Sequence, residues 1–103
     1  MMKRSRIAAP DMGQAEDLGL RALVFITGEP MRLGRFLADT GLSPQELRER
    51  AGEPAMLAAI LEHLLGNESE LLVFAAGVGI DPQMVEPMRA LLAGEKHRWE
   101  PST

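Results

Sequence analysis

Glycine and proline fall every ten to fifteen residues along this chain, and the apolar positions between them recur at helical spacing. That punctuation holds each helix to about three or four turns. A chain so divided buries its apolar faces only by folding several short helices against one another. The spacing predicts six helices, over residues 14–27, 30–40, 44 to a stop at Gly52, 54–65, 68–78 and 82–93, and no strands. The expected fold is all-α, a compact bundle of about six short helices. One domain over residues 13–94 lies between a flexible N-terminal segment (1–12) and a C-terminal tail (95–103).

The boundaries carry specific signals. In the first helix Leu18, Ala22, Phe25 and Ile26 turn inward, an Asp17–Arg21 pair lies outside, and Gly28 supplies a left-handed stop. Pro30 suits the first position of the second helix, where Leu33, Phe36, Leu37 and Thr40 share a face. The third has the clearest start: Ser43 as N-cap, Pro44 next, Glu46 completing a capping box, and a Leu42/Leu47 staple. Met56, Leu57, Ile60, Leu61, Leu64 and Leu65 form the stripe of the fourth. Asn67 and Glu70 open the fifth, which is apolar nearly all round (Leu71 to Ala76) and is expected at the buried centre. In the sixth, Val85, Met88, Leu91 and Leu92 point inward. Pro87 implies a loose first turn or a start near Glu86.

An internal correspondence runs through the middle of the chain. Residues 28–47 align without gaps on residues 66–85, an offset of 38, with seven identities in twenty positions, including Gly28/Gly66, Phe36/Phe74, Gly41/Gly79 and Pro44/Pro82. About one or two identities are expected by chance. The architecture this predicts is two three-helix units about a pseudo-twofold axis, each too small to bury its own apolar face. The converse reading is two corners that converged on similar caps.

The string from Arg32 through Ala38, Gly41 and Pro44 to Leu47, followed by Leu71 to Ala76 and Gly79-Ile80-Asp81-Pro82, resembles an uncharacterised family of small helical proteins from alphaproteobacteria, classed as a domain of unknown function. The resemblance covers about residues 18–92. It implies a helical bacterial cytoplasmic protein with no assigned activity, and it transfers no functional residues.

Composition narrows the chemistry. The absence of cysteine excludes disulfides and thiolate sites and suits a reducing cytoplasm. The longest apolar run, residues 71–76, is far short of the ~20 residues that a membrane-spanning helix needs. With no Cys or Tyr, and only His63 and His97, neither a nucleophilic constellation nor zinc-ligand spacing is present. His63 reads as a solvated side chain on the face away from the leucine stripe. Gly77-Val78-Gly79 lacks the lysine of a phosphate loop and leads to Asp81. The paired carboxylates Glu46/Glu49 and Glu68/Glu70 suit capping and solvation. The expectation is a non-enzyme with no metal and no cofactor.

Residues 36–52 superficially match a helix-turn-helix. However, the net charge is −4, Leu37 stands where the helices would press closest, and Glu46 and Glu49 flank Gln45 and Arg48 on the would-be reading helix. Nucleic acid is therefore not an expected partner. A degenerate DNA-binding domain and a small-ligand carrier, the latter needing a cavity under the fifth helix, stand as alternatives to a protein-interaction domain.

Candidate partner-binding residues come from differences between the aligned segments. Charge is uneven: residues 1–50 hold eight basic and seven acidic side chains, whereas residues 51–103 hold three and eight. Arg32, Arg35 and Asp39 align with Glu70, Val73 and Gly77, and Arg48 and Arg50 with Glu86 and Met88. The second face is therefore acidic and partly apolar. It is either covered by the first helix or by the tail bearing Trp99, or exposed as a docking surface; Trp99, the one tryptophan, is itself a candidate partner-binding anchor. That surface would centre on Val73 and Met88, ringed by Glu70 and Glu86, for a basic partner or another copy's arginines.

Overall fold

A computed structural model describes residues 9–95. Six α-helices occupy them: α1 (Met12–Thr27), α2 (Pro30–Thr40), α3 (Pro44–Arg50), α4 (Pro54–Leu65), α5 (Glu68–Val78) and α6 (Val85–Leu92). A 3-10 turn over Pro82–Met84 leads into α6, and no strand occurs among the described residues. The expected all-α bundle is the observed one.

Local chemistry sets the boundaries. The side chain of Asp11 accepts from the Gln14 N–H, and the Gln14 side chain accepts from the Asp11 N–H. This capping box starts α1 two residues ahead of the expected position. Gly28 closes α1 at φ −77°, in the right-handed region, a correction to the left-handed stop expected there. Left-handed glycines occur instead at Gly41 (φ 75°), Gly79 (φ 76°) and Gly94 (φ 75°), where a side chain would be strained, the first two at the offset of 38. Ser43 and Glu46 form the expected capping box of α3. Near Pro87 the chain uses a loose first turn: Asp81 caps the 3-10 segment, and α6 proper begins at Val85. Pro87 then lies in the first turn of α6, where a missing N–H costs no intrahelical bond.

The core is a trio of α1, α4 and α6 packed on one another, with α2 against α1 and α5 against α4. The buried centre is α4, which buries Met56, Leu57, Ala58, Ile60, Leu61 and Leu64. This corrects the expectation for α5, which buries only Phe74 and Ala75 and leaves Leu72 and Val73 about half exposed. An all-round apolar helix is buried only if neighbours cover every side, and no described element covers this outer face of α5.

Helices α1 and α4 cross closely at Gly19. A Cβ on Gly19 would lie 2.8 Å from the Cβ of Leu57, so the glycine is what lets these backbones approach. Phe36 and Phe74 are both fully buried, each contributing about 1.5–3 kcal/mol of hydrophobic stabilisation. After the Gly41 and Gly79 corners the aligned segments diverge. The second continues into α6, which buries Val85, Met88 and Leu92, while the polar α3 buries only Leu47 and stays peripheral.

Candidate interaction surface

Between α1 and α5 runs a largely apolar groove of about 440 Å³, with Arg21, Val24 and Phe25 on one side and Val73, Gly77 and Val78 on the other. Val24 is 68% exposed and Val73 55%. Helix geometry explains their position. On α1 the buried set Ala15, Leu18, Ala22 and Ile26 faces the core, which leaves Val24 pointing outward. On α5, burial of Phe74 and Ala75 turns Leu72, Val73, Ala76 and Gly77 to solvent. The floor is an aromatic pair, Phe25 and Phe74, with ring centroids 5.4 Å apart and planes tilted by 54°.

One end of the groove is braced by charge. Arg35 Nη1 donates to Glu70 Oε2 at 2.8 Å, and Arg32 Nε lies 4.0 Å from the same oxygen. The Arg32 guanidinium also stacks 3.9 Å over the Phe25 ring. Glu70 is mostly buried, and its Oε1 takes no hydrogen bond. The stripes compared in the sequence are thus joined to each other. Glu70 is neutralised by arginines of its own chain, which corrects the picture of a free acidic rim facing a solvated basic one.

The other candidates scatter. Met88 is buried in the core and belongs to no surface, a correction that follows from its position on the inner face of α6 between Val85 and Leu92. Glu86 pairs with Arg89 through two 2.8 Å hydrogen bonds, which hold its carboxyl below the usual range. Arg89 also reaches Glu95, and the two carboxylates push the guanidinium pKa up further. Arg48 lines a separate pit between α1, α2 and α3. Trp99 falls outside the described residues. Val73 alone of the proposed centre lies in the groove, beside Val24 and Phe25, which the sequence comparison did not single out.

His63 is another correction. Its side chain is only 4% exposed, its Nδ1 lies 3.0 Å from Asp39 Oδ2, and its ring meets Phe36 edge-on at 5.3 Å. Its Nε2 is buried and takes no hydrogen bond. The expected solvated face of α4 is covered by α2, a tertiary contact that periodicity within α4 does not encode. Among the described residues no three His, Asp or Glu side chains converge on a metal-holding position.

Residues 12–95 match the family described as a protein of unknown function (DUF3572), and the chain belongs to that family. No curated protein and no solved structure matches it.

Proposed function

We propose that this chain is a non-enzymatic, cytoplasmic interaction module that docks an amphipathic helix of a partner protein in the α1–α5 groove. The observation that carries the reading is the exposure of Val24 and Val73 above an ordered aromatic floor. A valine pair at this exposure leaves unfavourable apolar surface in water, and a third helix laid between two others removes it. The Arg32–Arg35–Glu70 brace keeps one wall in place before the partner arrives, which lowers the ordering cost of binding.

The net charge of −4 disfavours a nucleic-acid partner. Duplex DNA fits less well. Glu46 is engaged in capping and Glu49 bonds Gln45, so α3 presents carboxylates where a reading helix presents donors. No described helix is long and apolar enough to cross a membrane.

Photo-crosslinking residues placed at Val24 or Val73, with Glu62 as an exposed site outside the groove, test the proposal in the native cell. Discrete protein adducts from the groove positions and none from Glu62 are expected. Equal yields from all three positions, or none from any, contradict it. An adduct at twice the chain mass identifies self-association instead.

A further inference from the structure

We propose that the pit between α1, α2 and α3 binds a small apolar carboxylic acid, with Arg48 as the partner of its carboxylate. The pit has a volume of about 320 Å³, at the small end of ligand pockets. Its walls are the half-buried Leu23 and Leu33 and the buried Leu47, with Pro44 and Ala51 beside them. The Thr27 hydroxyl beside them is engaged, donating to the Leu23 carbonyl at 2.8 Å.

Among the described residues Arg48 is the one charged residue lining the pit. The other five arginines among the described residues, Arg21, Arg32, Arg35, Arg50 and Arg89, each lie against a carboxylate of their own chain. Arg48 makes no hydrogen bond or ion pair among the described residues. A guanidinium unpaired among the described residues, on a side chain that lines an apolar pit, matches a ligand with an apolar stem and a carboxylate head.

The residues 38 positions further on in sequence differ from those of the pit in burial and charge. Leu61 and Val85 are fully buried there, where Leu23 is half-buried and Leu47 keeps slight exposure. Leu65 stands in the position of Thr27, so a branched side chain replaces a hydroxyl. In place of Arg48 and Ala51 are Glu86 and Arg89, which pair with each other. Among the described residues Arg48 has no carboxylate neighbour of the kind that Arg89 has in Glu86, and a fatty-acid-like ligand would supply one together with an apolar stem. This site is separate from the α1–α5 groove, and its test does not depend on that reading.

Octanoate and the neutral 1-octanol are the probes, titrated into the full chain while methyl and amide resonances are followed by NMR. Octanoate should give saturable shifts at Leu23, Leu33 and Leu47, with 1-octanol at least about tenfold weaker. Arg48→Gln should bring octanoate down to the level of octanol. Arg50→Gln, whose arginine pairs with Glu53 and does not line the pit, should leave binding unchanged. Equal affinity for the two probes, indifference to Arg48→Gln, or no saturable shift at these leucines up to about millimolar ligand overturns the proposal. So do shifts confined to the α1–α5 groove.

Discussion

Arg35 on α2 and Glu70 on α5 meet across 2.8 Å although 35 residues separate them, and Arg32 closes on the same carboxylate from above the Phe25 ring. This pair fastens two helices that flank the α1–α4–α6 core, and so fixes one end of the groove between α1 and α5.

Removing that fastening is expected to cost more than an ordinary surface pair. Exposed ion pairs contribute about 0–1 kcal/mol, but Glu70 is largely buried and one of its oxygens is already unpaired. Arg35→Ala should destabilise by about 1–2 kcal/mol in urea unfolding, and Glu70→Gln in the same background should recover part of the loss. Strict additivity of the two changes would show that the pair is not coupled.

The α1–α4 crossing sets a second expectation. Gly19→Ala forces a Cβ to within 2.8 Å of Leu57 and should cost about 1–3 kcal/mol as overpacking, despite the better helix propensity of alanine. Gly34→Ala on α2 meets nothing within 4 Å and should stabilise by about 0.5–1 kcal/mol. Thermal melts of the two variants should move in opposite directions.

Acid should weaken the fold through two identified carboxyls. Glu46 is held below its ordinary 4.5 chiefly by the Ser43 backbone N–H, then by the Ser43 hydroxyl. Glu86 is held below the same value chiefly by its bonds from Arg89. A carboxyl depressed in the folded state contributes stability above its unfolded pKa, and that stability is lost as pH falls through the folded pKa. Unfolding free energy should therefore drop as pH falls below about 4.5. Arg89→Gln should flatten the part of the acid limb that belongs to Glu86. An unchanged pH profile in that variant would contradict the assignment.

The fold was legible wherever a boundary had local chemistry. Pro30, Pro54 and the Asn67 cap, with Gly41, Gly66 and Gly79, bound α2, α4 and α5 at the residues read from sequence. The start of α1 was missed because the Asp11/Gln14 capping box lies ahead of the first apolar-periodic residue. The site was much less legible. Leu71 to Ala76 state that α5 is apolar on every side but not which side lacks a neighbour, and His63 reads as exposed until α2 is laid over it. The arginine and glutamate stripes were visible as differences between the aligned segments; that they pair with each other depends on the packing of α2 and α5 beside the core.

The interaction reading stands or falls on Val73. Because that side chain is 55% exposed, Val73→Arg should leave the unfolding free energy within about 0.5 kcal/mol of the parent. The same substitution places a charge in the apolar groove and should reduce the crosslinked adduct from Val24 at least about tenfold. The decisive measurement is that adduct yield, read beside a thermal melt of the same variant. A folded protein that loses the adduct is the predicted result. A folded protein that keeps it in full, or one that unfolds because Val73 is buried, would contradict the account.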